Sequence, residues 1–167
     1  MTEKITPHLD PASTLCTSCG LCCKGALHVR AILKPGEAGP ALALGLPVEA
    51  DGLAFTLPCP KLIDRKCSIY NSRPSVCAGY KCQLLLDFDV GKIGFERAMY
   101  TVARARAMLA ELAADRAAPA LTAAGSAVQT LRRTSVRLFI DKNFMNANDT
   151  KLVKQQIIAP AGVPGDN

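Results

Sequence analysis

The clearest periodicity lies in the C-terminal half. From Gly94 to about Asp115, the apolar residues Phe95, Ala98, Met99, Val102, Leu109 and Ala113 recur at helical spacing, with Arg97, Arg104, Glu111 and Asp115 on the opposite side. This pattern predicts an amphipathic helix. Arg106 breaks it, because at about 100° per residue it falls roughly opposite Arg97, inside the apolar stripe. Its guanidinium must either snorkel past a packed stem or find a partner on another element. A second helix is expected over residues 120–133, opened by Pro119. A third is expected from Asn148 or Asp149, either of which could cap it, through Ile158. Between them Val136 to Ile140 fits a strand or a helix end, and residues 159–167 read as a loose tail.

The N-terminal half gives shorter signals. Ala26 to Leu33 alternates weakly, as a strand would, and residues 34–46 (KPGEAGPALALGL) predict a short helix after Pro35-Gly36 that ends near Gly45. Leu53 to Leu57 is read as the first arm of a hairpin. Cys59 and Cys67 flank the polar Asp64-Arg65-Lys66, which places one cysteine on each arm. Arg73-Pro74 ends the extended stretch, and a turn of helix over Ser75 to Cys82 starts with Pro74, where a missing N–H matters little. The fold class is therefore α+β, mostly helical: a small irregular cysteine domain with a short hairpin, stabilised by metal and packed on C-terminal helices. The expected organisation is an extension over residues 1–14, a cysteine domain over 15–91, a helical region over 92–158 and a tail over 159–167.

Composition narrows the class. At 167 residues the chain suffices for one domain with a real core. Without Trp, packing falls to Leu, Ala, Ile and Val. The net charge of +6 is uneven, with nine basic and eight acidic residues up to position 91 but eleven and six beyond it. A basic half could attract nucleic acid, yet no RNP-like or helix-turn-helix signal accompanies it, so a solvated surface is the better reading. No stretch approaches the roughly 18–20 apolar residues of a membrane helix. The opening MTEKITPHLDPAST lacks the apolar run of a secretory signal. The expectation is a cytoplasmic protein with no membrane partner.

The candidate chemistry is in the thiols. Cys16, Cys19, Cys22 and Cys23 fall within eight residues, and Cys59, Cys67, Cys77 and Cys82 form a second cluster. A reducing compartment argues against disulfides. So does geometry, since adjacent Cys22 and Cys23 have Cα atoms only about 3.8 Å apart. Two successive C-x2-C steps point to metal, because thiolates at that spacing can turn toward one centre. If helical, the stretch would put Cys16, Cys19 and Cys23 on one face; a loop leading into a short helix serves equally well. Adjacent cysteines suit a polynuclear site in which neighbours serve different metal atoms.

These motifs carry a resemblance. C-x2-C-x2-C-C followed by C-P-x-L, C-x-I-Y, R-P-x-x-C and a final aromatic-x-C resembles the YkgJ-type cysteine-cluster family, CxxCxxCC, described as zinc- or iron-chelating. The match runs from about Leu15 to Cys82 with all eight cysteines in register. It implies that these cysteines are the metal ligands. Relatives carry Arg directly after the R-P-x-x-C cysteine, whereas here Ala78 stands there, so its charge could pass to Arg106. Flagellin lysine methylases, which are much longer, share a similar cluster, and this leaves an enzymatic alternative using redox or methyl-transfer chemistry. The residues themselves leave the metal open. Two closed zinc ions, each held by four thiolates, are one solution. An iron–sulfur cluster such as 4Fe-4S is the other, because Cys16, Cys19 and Cys22 reproduce the ferredoxin run and Cys59-Pro60 supplies a C-P step. Nothing resembles a P-loop, a G-x-G-x-x-G or a G-x-S-x-G motif, which weighs against an enzyme. Of the two histidines, His8 and His28, the second could complete a Cys/His site but is not needed with eight thiols at hand.

Overall fold

A computed structural model of the chain describes residues 10–117 and 123–149. The elements run α1 Pro11–Cys19, β1 Arg30–Ile32, α2 Ala38–Ala43, β2 Ala54–Thr56, β3 Leu62–Ile63, β4 Lys66–Cys67, α3 Ser75–Gly79, α4 Gln83–Asp89, α5 Phe95–Ala117 and α6 Ala123–Phe144. The fold is mostly helical α+β, with two antiparallel strand pairs, β1–β2 and β3–β4, and no closed sheet among the described residues.

The predicted helix after Gly94 is α5. It buries Ala98, Val102, Ala105 and Leu112, whose steps of one and two helical turns keep one face turned inward. Ala113, placed on the stripe from sequence, lies one position past Leu112 and is exposed. No helix end falls near residue 133, because α6 runs unbroken through Val136–Ile140 and buries Val136, Ile140 and Phe144. Tertiary packing against α5 thus overrides the strand-like composition of that stretch. Pro119, the predicted opener, lies outside the described residues, as do the bulk of the third helix and the tail. At the start of that third helix the cap is neither Asn148 nor Asp149. The Asn146 side chain accepts the amides of Asn148 (2.9 Å) and Asp149 (3.0 Å), while Asp149 accepts the Asn146 amide at 2.9 Å. That reciprocal arrangement is a capping box.

Helix α4 has no counterpart in the sequence reading. Its seven residues are too few to display a period, but it buries Leu84 and Leu85. These join Leu15, Leu21 and Leu27 with the inner faces of α5 and α6 in one core. Each such side chain, when fully buried, contributes about 1.5–3 kcal/mol. A smaller cluster of Leu33, Ala41, Leu46 and Phe55 lies apart from it, with Cys59, Ile69, Val76 and Cys77 partly buried against it.

One strand pairing differs from expectation. β2 is not an arm of the cysteine hairpin; it pairs with β1 in the register Arg30–Thr56, Ala31–Phe55 and Ile32–Ala54. The hairpin is β3–β4, turned by Asp64 and Arg65 at φ 47° and 69°. Two consecutive left-handed residues make the tight turn that matches strand twist. Cys67 lies on β4, but Cys59 precedes β3 instead of sitting on it.

Candidate metal centre

The first cysteine cluster is built around the end of α1. Asp10 caps that helix by accepting the Ser13 amide at 3.0 Å, and Pro11 occupies its first turn. Cys16 and Cys19 therefore stand about one helical turn apart. Gly20 stops the helix at φ +65°, a left-handed conformation that disfavours side chains. Leu21 then drops fully into the core. Cys22 and Cys23 follow in a turn closed by Gly25 N–H to Cys22 O at 3.0 Å and Ala26 N–H to Leu21 O at 3.0 Å. The order is a helix leading into a loop, the reverse of the loop-then-helix reading, and Cys23 does not share a helix face with Cys16 and Cys19.

The second cluster is fastened to the first through backbone. The Cys59 amide donates to the Cys23 carbonyl at 2.7 Å. Beyond the β3–β4 hairpin, Arg73 lays its guanidinium 3.6 Å over the Tyr70 ring. Pro74 sits just before α3, which carries Cys77, and the Glu37 carboxylate accepts the Ser75 amide at 2.8 Å. Cys82 stands at the N-terminal end of α4.

Two adjoining cavities result. The smaller, about 50 Å³, is lined by Cys16, Cys19, Cys22, Cys23 and Cys82. The larger, about 120 Å³, is lined by Cys16, Cys22, Cys23, Cys59, Cys67 and Cys77, with His28, Arg73 and Tyr80 also in its wall. All eight predicted cysteines thus reach the two cavities, and Cys16, Cys22 and Cys23 line both. Among the described residues, no three His, Cys, Asp or Glu side chains already stand as a set that could hold an ion. The thiols share walls and would have to turn inward to ligate.

Their electrostatics follow from burial. Desolvation first, then neighbouring thiols, pushes Cys19 and Cys23 up to about 12, Cys77 and Cys82 up to about 11, and Cys22 well above its ordinary value. Cys22 is opposed most by Cys82 and Cys19, whereas Cys23 is opposed by Cys59, Cys67 and Cys77. The adjacent pair therefore divides, one thiol to each group. Cys16 is the one exposed cysteine of the eight, and it stands where the two cavities share a wall. The donor chemistry suits a soft or borderline cation, since thiolates select zinc, Cu(I) and iron–sulfur centres.

Positive charge is supplied nearby. Arg73 favours the ionised forms of both Cys16 and Cys77. Arg106 does cross from α5, but its Nη1 donates to the Ser18 carbonyl at 3.2 Å, not to a sulfur. It satisfies a carbonyl in the last turn of α1 and so fixes the helix end that carries Cys19.

A buried polar group also went unread. Tyr80 donates to Asp149 Oδ2 at 2.8 Å, Asp149 Oδ1 lies 3.5 Å from His28 Nε2, and the His28 and Tyr80 rings meet edge to face at 5.1 Å. No local signal joins residues 28, 80 and 149; only the return of the chain after α6 does so.

Fold and site together define a cysteine-rich domain whose eight thiols line two adjoining cavities. Residues 15–94 match the family CxxCxxCC, described as "Putative zinc- or iron-chelating domain". Comparison with curated proteins and with solved structures finds no match.

Proposed function

We propose that the eight cysteines hold zinc or iron as two adjoining centres. Cys19, Cys22 and Cys82, completed by Cys16, would take one. Cys23, Cys59, Cys67 and Cys77 would take the other. The observation that carries this is the gathering of the eight thiols around two cavities with shared walls. Each group supplies four thiolates, the number a closed structural zinc site uses. The centre is structural on this reading, since the strands around it are two or three residues long and cannot hold the domain alone.

One observation favours a second reading for the smaller cavity. It gathers Cys16, Cys19 and Cys22 of the C-x2-C-x2-C run with a distant fourth cysteine, Cys82, the donor set of a 4Fe-4S cluster. Either metal calls for thiols kept reduced, so we place the protein in the cytoplasm. No helix among the described residues is long and apolar enough to cross a membrane.

Elemental analysis of anaerobically purified variants tests the division. Cys82→Ser and Cys59→Ser should each lose about half the bound metal and retain the rest. If either substitution empties both centres, or neither changes the content, the two-centre assignment fails. A visible absorption band lost only in Cys82→Ser would assign iron–sulfur chemistry to the smaller cavity.

A further inference from the structure

His28 is 8% exposed, and neither ring nitrogen has a hydrogen-bond partner among the described residues. Buried imidazole nitrogens are ordinarily paired, and an orphan of this kind calls for an explanation. Asp149 Oδ1 stands 3.5 Å from Nε2, which leaves Nδ1 with nothing. The ring lines the larger cavity together with six thiols.

The carboxylate behind it is built with care. Asp149 is 3% exposed, accepts the Tyr80 hydroxyl at 2.8 Å and the Asn146 amide at 2.9 Å, and so has a fixed orientation. A carboxylate 3.5 Å from one nitrogen of a histidine, with the other nitrogen unpaired beside a donor-rich cavity, is placed as the carboxylates that orient metal-ligating histidines are placed. Burial also keeps the ring neutral, since desolvation pushes His28 below its ordinary range despite Asp149, and the neutral form is the one that ligates.

We infer that His28 is a ninth metal ligand, binding through Nδ1 the ion of the larger cavity, with Asp149 as its positioning residue. This rests on the two-centre reading above. That cavity then offers five donors, Cys23, Cys59, Cys67, Cys77 and His28, against the four of its all-thiol neighbour. The two centres differ in kind: the larger carries nitrogen, and its ion is either five-coordinate or exchanges one thiolate for imidazole. A simple packing role does not explain the orphaned nitrogen.

The test uses the full chain loaded with ¹¹³Cd, a thiophilic divalent probe, and labelled with ¹⁵N. With only two histidines in the sequence, a long-range ¹H–¹⁵N spectrum is readily assigned. We expect one imidazole nitrogen of His28 to be split by ¹¹³Cd and His8 to be unsplit. One cadmium resonance should lie upfield of the all-sulfur position, and in Asp149→Asn the His28 coupling should weaken or vanish while cadmium content holds. Cadmium bound with His28 unsplit overturns the inference and leaves thiolate binding standing. Failure to bind cadmium at all overturns both.

Discussion

Stripping the metal should unravel residues 15–82 while most of α5 and α6 stays folded. The cysteine domain has little else to hold it. Its strand pairs span three and two residues, and α1 is nine residues long, below the length at which an isolated helix persists. Its own cluster is four buried side chains, Leu33, Ala41, Leu46 and Phe55. A structural zinc site contributes about 10–16 kcal/mol of apparent binding energy, comparable to the whole stability of a domain at about 5–15 kcal/mol. Helices α5 and α6, of 23 and 22 residues, pack on each other. They would lose mainly the contacts that Leu15, Leu21 and Leu27 make within the shared core. Hydrogen exchange before and after chelation should show protection falling over residues 15–82, by roughly a hundredfold or more if about 3 kcal/mol of stability is lost there. Unchanged protection there would mean the site is not structural.

The second large effect is a reversal of pH dependence on metal removal. In those metal-free chains whose cysteine domain is still folded, the buried thiols are neutral, with Cys19 and Cys23 at about 12 and Cys77 and Cys82 at about 11 against an ordinary value near 9.0. A thiol raised in the folded state contributes stability that is complete below about pH 9 and is lost as pH rises through about 11 to 12. A tenfold change in an ionisation constant is worth about 1.4 kcal/mol, so a few such groups consume a typical margin. The folded fraction that survives metal removal should therefore shrink further on the alkaline side. The loaded protein already has its thiolates ionised, so it should be stable there and fail in acid, where protons displace the metal. Denaturation midpoints from about pH 5 to 11, with and without metal, would check this; parallel curves would contradict it.

What the sequence made legible follows from what is local. Cysteine spacing, the C-x2-C steps and the R-P-x-x-C turn each lie within a few residues, and all eight cysteines do reach the two cavities. The α5 stripe was readable because 23 residues display their period, and Arg106 stood out against it for the same reason. Pairing was not readable: LAFTL looks like a strand, but nothing in it names β1 in preference to the hairpin as its partner. Seven-residue α4 is too short to show a period. The group of Tyr80, Asp149 and His28 joins residues far apart in the chain, and no local pattern encodes such contacts. The end of α1 at Cys19 was missed because Gly20 permits either a turn or a helix, and the left-handed backbone decides it.

The central claim is that the cysteines are bound to metal in the native protein, and counting reactive thiols tests it most directly. Metal-replete native protein is treated with a bulky thiol reagent, then with the same reagent after a strong chelator. The account predicts few reactive groups at first and all eight cysteines once the metal is withdrawn. Eight thiols reacting freely in the metal-replete native protein would contradict it.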